Sequence, residues 1–355
     1  MRHNTKTPPL GVLMLQLGTP DAPTAQALRP YLRQFLSDPR VIEPPPRYEG
    51  RPRVWRILWW LILNGIILTT RPRQSAEKYA RIWSQEHGSP LLYWTRRQAE
   101  DLQKTLPEGF RVAFGMRYGE PSIARAVKEL LGAGCERFIV LPMYPQYSAT
   151  TTASALDGLF DVLKQERLVP ALRIVPPYYE HPAYLDAVVE QTREELARLA
   201  WEPEFYLFSY HGIPQSYVKR GDVYARHVER TTQAVVSALE LPRGKWARVY
   251  QSLFGKEAWL KPYAEEKIKQ LASQGVKRLF ICTPGFTADC LETVDEIGYE
   301  LREVFVKHGG SQYHRCPCLN DHPRFIEALK TLVLEEASGW LCGERTRISP
   351  SIAAS

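Results

Sequence analysis

Two segments decide the fold, AGCERFIVLPM at 133–143 and QGVKRLFICTP at 274–284. In each case an amphipathic stretch precedes a short apolar run, and a polar loop with aromatic residues follows. Aligning the two segments places Arg137 over Arg278. Each segment has the pattern of a helix followed by a buried strand of a parallel sheet. Because the pattern recurs in both halves of the chain, we expect two similar lobes that arose by duplication.

Further apolar runs continue this pattern along the chain. The predicted strands, rich in Val, Ile, Leu and aromatic residues, are Gly11–Leu17, Arg111–Met116, Phe138–Met143, Phe205–Tyr210, Ala247–Ser252, Leu279–Thr283 and Gln312–Cys316. Amphipathic helices are predicted between and after them, for example at Ser122–Leu131 and Phe325–Leu334. The alternation predicts an α/β protein with two similar Rossmann-like lobes, each a parallel sheet flanked by helices.

The length of 355 residues also fits two domains. A proline-containing connection, VPPYYEH at 175–181, marks the boundary between them. We expect an N-terminal lobe at 8–176 and a C-terminal lobe at 177–320. A terminal helix at 321–340 is expected to pack back on the first lobe.

The composition is that of a folded protein, with 44% hydrophobic and 24% charged residues. The net charge of +7 favours anionic partners such as carboxylates, phosphates or an acidic lipid surface. Six scattered cysteines do not form a disulfide framework, and the polar N-terminus lacks the apolar core of a signal peptide. These features predict a protein of the reducing cytoplasm.

One apolar segment, ILWWLILNGIIL at 57–68, comes close to a membrane span but is too short to cross a bilayer. Arginines flank it, and Trp55, Trp59 and Trp60 lie beside them. Tryptophan next to arginine is typical of an interfacial anchor. Composition alone leaves a buried helix and an interfacial helix as alternatives.

The chemistry is expected at the carboxyl ends of the strands, where open parallel sheets bind ligands. No glycine-rich nucleotide motif follows a strand, which disfavours hydride transfer and nucleotide hydrolysis. His211 ends a predicted strand in SYHGIP, and Glu292, Glu296 and Glu300 follow another at a spacing of four, on a helix that could begin near Asp289. An imidazole and a carboxylate in one pocket can move protons or hold a divalent metal. A histidine bound by the backbone and a solvated glutamate stripe are the structural alternatives.

Seven motifs, taken in order, make the chain similar to the ferrochelatase family. They are GVLMLQLGTPD at 11–21, HGSPLLYWTRRQ at 87–98, FGMRYGEPSI at 114–123, VLPMYPQYSATTTAS at 140–154, SYHGIPQSYVKRGD at 209–222, QSLFGKEAWLKP at 251–262 and PGFTADCLETVDEI at 284–297. The SYHGIP form resembles the proteobacterial branch. The resemblance implies a metal chelatase, a lyase that inserts Fe²⁺ into protoporphyrin IX in the last step of haem biosynthesis and releases two protons.

The resemblance also implies roles for individual residues. His211 and Glu292 match a catalytic pair that faces the macrocycle centre, from which we expect them to meet across the cleft from opposite lobes. With Glu296 they form the implied metal set. Residues that match or join the porphyrin pocket are Leu17, Tyr79, Ser89, Arg117, Tyr118, Trp259 and Phe286. Arg117 is expected to meet a propionate.

Partners and cofactors follow from the same resemblance. Residues 54–70 match the lip of the pocket mouth, which implies peripheral contact with the inner membrane. Iron and porphyrin are both substrates, so no organic cofactor is expected, and neither is a nucleic-acid partner. Cys316, Cys318 and Cys342 do not supply four thiols, so no [2Fe–2S] cluster is expected. Some members carry a histidine in place of Cys290, and a relay through that side chain is not available here.

Two other functions stay open, because a fold does not fix a function. The chain could be a non-catalytic carrier of a tetrapyrrole or a metal. It could also be a related chelatase that uses cobalt or coproporphyrin.

Overall fold

The computed structural model describes residues 8–45, 48, 50–253 and 257–341. The first half contains β1 (Leu10–Gly18), β2 (Phe110–Tyr118), β3 (Arg137–Pro142) and β4 (Ala171–Ile174). The second half contains β5 (Phe205–His211), β6 (Trp246–Gln251), β7 (Arg278–Cys282) and β8 (Gln312–Arg315). They form two four-stranded sheets, in the orders β2-β1-β3-β4 and β6-β5-β7-β8, and the paired strands are parallel.

Helices lie between and after these strands. They are α1 (Ala25–Ser37), α2 (Pro52–Ile62), α3 (Leu68–Ile82), α4 (Pro90–Thr105), α5 (Ile123–Gly132), α6 (Ser154–Leu163), α7 (Pro182–Ala197), α8 (Gln215–Lys219), α9 (Tyr224–Ala238), α10 (Ala264–Ser273), α11 (Leu301–Lys307) and α12 (Pro323–Ala337). Three π-helical segments lie at Leu63–Ile67, Ala149–Ala153 and Glu292–Glu300 within the described residues. The prediction of two similar lobes, each a parallel sheet flanked by helices, is confirmed.

The internal repeat is visible in the register of the sheets. Arg137 begins β3 and pairs with Ala171 of β4, while Arg278 begins β7 and pairs with Gln312 of β8. The central strands β1 and β5 occupy the same place in their sheets. The two sheets therefore share strand order, direction and register, as the repeated sequence pattern predicts.

The terminal helix α12 packs against both halves of the chain. Its buried face carries Phe325, Ile326, Leu329, Leu332 and Val333, the apolar positions that recur at helical spacing. This face contacts α7 as well as α4 and β3. The helix thus joins elements on either side of the boundary expected at residue 176, and the domain limits themselves stay a prediction.

Close backbone contact at the carboxyl end of the first sheet helps to shape the site. Gly18 has a φ of +111°, and a Cβ there would lie 1.8 Å from the carbonyl oxygen of Tyr118. A residue with a side chain does not fit, so glycine is required at this crossing of the segments that end β1 and β2. The preceding residue, Leu17, lies on the wall of the cavity described next.

Candidate functional site

A cavity of about 920 Å³ lies at the carboxyl ends of strands from both sheets. Its wall includes residues that end or follow β1, β3, β5, β6 and β7, namely Leu17, Tyr144, His211, Gln251 and Phe286. This is where open parallel sheets bind ligands, and the volume is in the range of sites for large organic molecules.

The imidazole of His211 is oriented by the main chain. His211 is the last residue of β5, and its Nδ1 atom lies 2.7 Å from the carbonyl oxygen of Gly212. A carbonyl only accepts hydrogen bonds, so Nδ1 donates and carries the proton of the neutral ring. The other ring nitrogen, Nε2, is then the basic atom. His211 therefore offers a proton acceptor on the cavity wall.

Glu292 begins the π-helix Glu292–Glu300, which follows β7. Glu292, Glu296 and Glu300 all line the cavity, so the predicted glutamate stripe faces the site. Wide helical turns of this type are frequent at functional sites. Asp289 does not cap the helix as expected, because its carboxylate accepts hydrogen bonds from Arg315, Thr293 and Asn320 instead.

His211 and Glu292, the predicted catalytic pair, do not come from opposite lobes. β5, which ends in His211, pairs directly with β7, after which Glu292 follows. Loops after adjacent parallel strands meet at one edge of the sheet, so both side chains belong to the second sheet. The expectation of opposite lobes was wrong for this reason. The first half supplies the facing wall, including Leu17 and Trp59.

The electrostatic character of the cavity is strongly acidic. Burial raises the pKa of the Glu296 carboxyl, which accepts hydrogen bonds from the backbone N–H and the hydroxyl of Ser252. Seven carboxylates lie among the described wall residues: Glu43, Glu257, Glu265, Glu292, Asp295, Glu296 and Glu300. The cations among the described wall residues are Arg71 and Lys78. Lys78 pairs with Glu300 at 2.6 Å, and burial lowers the pKa of Arg71.

Three of the predicted porphyrin residues, Leu17, Trp259 and Phe286, line the cavity. Tyr79 and Ser89 are buried and do not appear on its wall. Tyr79 packs edge-on against Tyr31, and the Ser89 hydroxyl lies 2.8 Å from that of Thr19. Tyr79 belongs to a core cluster against which the wall residues Leu17 and Trp59 pack.

Arg117 and Tyr118 are also absent from the wall and belong to a buried network around Asp38. Arg117 Nη2 lies 2.6 Å from Asp38 Oδ2, and the Tyr118 hydroxyl donates to the same oxygen at 2.8 Å. A buried carboxylate requires such partners. Arg117 is therefore engaged inside the protein, and the structure does not place it where it would meet a propionate. Sequence reasoning missed Arg71 and Lys78, for which only their position next to the apolar segment was a signal.

The lip at 54–70 has an inner and an outer face. Trp55 and Trp59 line the cavity with their rings 5.6 Å apart, and Trp59 Nε1 donates to the carbonyl oxygen of Leu36. Trp60, by contrast, is 61% exposed. The outer face exposes Val54, Ile57, Trp60, Leu61 and Ile66. One face of the lip therefore lies toward the protein and the other is exposed. Contact of the exposed face with a membrane stays a prediction. In the described chain, every helix is too short or too polar to cross a membrane.

The cysteines of the described chain are buried at Cys135, Cys282, Cys290, Cys316 and Cys318. Burial raises the pKa of the Cys290 and Cys318 thiols, which keeps them protonated. Cys342 lies outside the described residues. Within those residues, no three His, Cys, Asp or Glu side chains are grouped so that they could hold a metal ion. The absence of a [2Fe–2S] cluster stays a prediction.

Comparison with known proteins identifies the family. A family model described as Ferrochelatase matches residues 9–337. The chain is 45% identical over 345 residues to the ferrochelatases of Brucella ovis and Brucella suis, covering 96% of this chain and 95% of each relative. The chain belongs to the ferrochelatase family. Ferrochelatases are metal chelatases with Fe²⁺ and a porphyrin as substrates, so the predicted family and enzyme class are confirmed.

Solved structures with a related shape are more distant from this ferrochelatase family member. SirB from Bacillus subtilis with Fe³⁺ matches with a TM-score of 0.49 and 16% identity, covering 71% of this chain and 93% of that chain. CbiX, described as the terminal enzyme for siroheme biosynthesis in denitrifying bacteria, matches with a TM-score of 0.47 and 11% identity, covering 92% of this chain and 98% of that chain.

Proposed function

We propose that the chain inserts Fe²⁺ into protoporphyrin IX, forming protohaem and releasing two protons. The observation that carries this proposal is a basic imidazole nitrogen and a row of carboxylates on the wall of one cavity. The cavity has apolar walls beside this polar edge, with Leu17, Trp259 and Phe286 among them. An apolar slot with a few converging polar groups suits a flat hydrophobic macrocycle.

His211, Glu292 and Glu296 have different roles in the proposed reaction. When a pyrrole N–H bond breaks, its electron pair stays on nitrogen and forms the bond to Fe²⁺. The proton passes to Nε2 of His211, a step for which a positioned base contributes typically about 10²–10⁴ in rate. Glu292 balances the charge of the protonated imidazole. Glu296, with a carboxyl pKa raised by burial, is suited to take the proton onward. The structure does not group His211, Glu292 and Glu296 as a three-residue metal site, so the implied metal set is not part of the proposal.

The charge of the wall favours a porphyrin with few carboxylates. Arg71 and Lys78 are the cations on the described wall, against seven acidic side chains. Protoporphyrin carries two carboxylates, whereas coproporphyrin carries four. Two additional carboxylates would face a wall on which acidic side chains outnumber basic ones. We therefore assign protoporphyrin IX as the substrate, with its propionates on the side of the wall that carries Arg71 and the Lys78–Glu300 ion pair.

The outer face of the lip supports peripheral contact with the inner membrane from the cytoplasmic side. Its exposed apolar side chains lie close in sequence to Arg53, Arg56 and Arg73, which are exposed as well. Apolar and cationic groups together bind an anionic lipid surface. Because Trp55 and Trp59 of the same lip line the cavity, we propose that a membrane-dissolved porphyrin enters from this side.

The function is tested by incubating the purified protein with protoporphyrin IX and Fe²⁺ without oxygen. We expect haem absorption to grow through many turnovers, with a lower kcat/KM for coproporphyrin. A complex that stops at one haem per protein would instead indicate a carrier. Faster insertion of Co²⁺, or preference for coproporphyrin, would identify the related chelatase.

A further inference from the structure

We infer that Gln251 is a positioning residue, which holds the first turn of the Glu292–Glu300 helix against the end of the His211 strand. This inference rests on the proposed function, because it concerns the same site. Gln251 was not among the residues that sequence analysis selected. It is the last residue of β6, it is 3% exposed, and it lies on the cavity wall.

The main chain of Gln251 is fixed to that of His211. The two residues are paired across β5 and β6, and the Gly212 N–H donates to the Gln251 carbonyl oxygen at 2.8 Å. Gly212 is also the residue whose carbonyl oxygen accepts the hydrogen bond from Nδ1–H of His211. The position of the imidazole is therefore tied to the backbone of Gln251 on both sides of the strand end.

The side chain of Gln251 reaches the other catalytic element. Its Nε2 donates to the main-chain carbonyl oxygen of Glu292 at 3.2 Å, and its Oε1 accepts from the Ser209 hydroxyl at 2.6 Å. Ser209 lies on β5 two residues before His211 and is fully buried. The hydroxyl of Ser209 thus fixes which end of the amide points to the helix. The result is a chain of hydrogen bonds from β5 through β6 to Glu292.

The next residue adds a second connection to the same helix. The backbone N–H of Ser252 lies 2.7 Å from Oε1 of Glu296, one turn beyond Glu292. Ser252 has a φ of +63°, a left-handed conformation that costs energy for a residue other than glycine. This strained residue directly follows the end of β6 and is hydrogen-bonded to Glu296. Two consecutive residues therefore fix the helix relative to His211, and Gln251 does so with its side chain.

Gln103 provides a matched control elsewhere in the molecule. Its side chain also joins two elements, because it donates to the carbonyl oxygen of Phe110 and accepts from the N–H of Val112. It does not line the cavity. Replacement of either glutamine by leucine removes two hydrogen bonds, one donated to a backbone carbonyl and one accepted by the amide oxygen. If Gln251→Leu lowered activity only by destabilising the fold, Gln103→Leu would lower activity as well.

The test measures metal insertion, porphyrin binding and thermal unfolding for the full chain, Gln251→Leu, Ser209→Ala and Gln103→Leu. A displacement of about 1 Å between reacting groups costs on the order of 10²-fold in rate, so we expect kcat of Gln251→Leu to fall by about 10–100-fold. We expect KM for the porphyrin to stay within about twofold, since both ends of the Gln251 amide are hydrogen-bonded to protein groups rather than offered to a ligand. The pH profile of kcat should shift in Gln251→Leu and stay unchanged in Gln103→Leu.

Ser209→Ala keeps the amide but frees its orientation, so a smaller loss in kcat is expected. If Gln251→Leu does not fold, Ser209→Ala still tests the inference. Equal kcat values and pH profiles for the parent, Gln251→Leu and Ser209→Ala would overturn the inference while the activity of the parent still supports the proposed function. An inactive parent would instead refute the function itself.

Discussion

At the scale of single residues, the chemistry open to the site depends on which atoms of His211 and Glu296 carry a proton, and not only on the charges of the two side chains. The tautomer of His211 is set by one main-chain carbonyl, which leaves Nε2 as the base. Glu296 is held by two hydrogen bonds from Ser252, yet its burial raises the pKa of the carboxyl. Under the proposed function, the Nε2 atom of His211 accepts a proton and Glu296 receives it next.

A pH dependence of stability follows from Glu296. Its carboxyl has a usual pKa of 4.5, and the folded value is raised by burial, so the folded chain holds the proton more tightly than the unfolded chain. Stability from this group is fully present below pH 4.5 and is lost as pH rises through the raised pKa. Compared with Glu296→Gln, the parent should lose free energy of unfolding as the pH rises from 4.5 through the raised pKa of Glu296. Urea midpoints measured across pH would show this, and parallel curves for the two proteins would contradict it.

At the scale of elements, the lip shows why a sequence pattern was only partly informative. The run at 57–68 indicated a helix beside the site, but which of its side chains face the cavity depends on tertiary contacts such as the hydrogen bond from Trp59 to Leu36 of α1. Trp59 donates to Leu36 on α1, which turns it inward, whereas Trp60 points outward. Trp59 and Trp60 have the same side chain and are adjacent, yet one lies on the cavity wall and the other is exposed.

Membrane binding should depend on the outer face alone. Replacing Ile57 and Trp60 together by serine removes two exposed apolar groups, and each contributes on the order of 1–2 kcal/mol when it enters lipid. We expect partitioning onto anionic liposomes at low salt to fall by at least about tenfold. Leu168 and Val169, exposed apolar residues outside the lip, are the matched control pair. Equal partitioning of the lip variant, the control variant and the parent would exclude the lip as the contact.

The strands show how much of the fold could be predicted. All seven predicted strands are present, and their ends differ by one or two residues. The missed strand, β4 (ALRI), is short and only partly buried, so it has no continuous apolar run. His211 and the glutamates could be found because they follow strong strands. Arg71, Lys78 and Gln251 could not, because their roles depend on the position of distant elements around the cavity.

At the scale of the whole molecule, the two sheets are repeats with different chemistry. The shared register that aligns Arg137 with Arg278 also places Leu17 of β1 at the position of His211 in β5. Both residues line the cavity. At this equivalent position, one repeat therefore has an apolar side chain and the other an imidazole.

Asp222 connects the two halves beside the cavity. Its Oδ2 accepts from the hydroxyl of Ser148 and the N–H of Ala149, each at 2.8 Å, and its Oδ1 accepts from the N–H of Tyr224 at 2.9 Å. Asp222→Ala leaves these donors without their acceptor, and we expect unfolding free energy to fall by about 1–2 kcal/mol. Asp222→Asn keeps acceptor oxygen and should lose less. Denaturant unfolding checks the order, and equal losses for Ala and Asn would contradict it.

The most direct test of the central claim is single-site removal of the imidazole in the full chain. Anaerobic haem formation from protoporphyrin IX and Fe²⁺ is followed for the parent and for His211→Ala, with porphyrin binding measured by fluorescence in parallel. We predict many turnovers for the parent and a loss of at least about 10²-fold in kcat for the variant, with porphyrin binding retained. Turnover by His211→Ala near that of the parent would contradict the account.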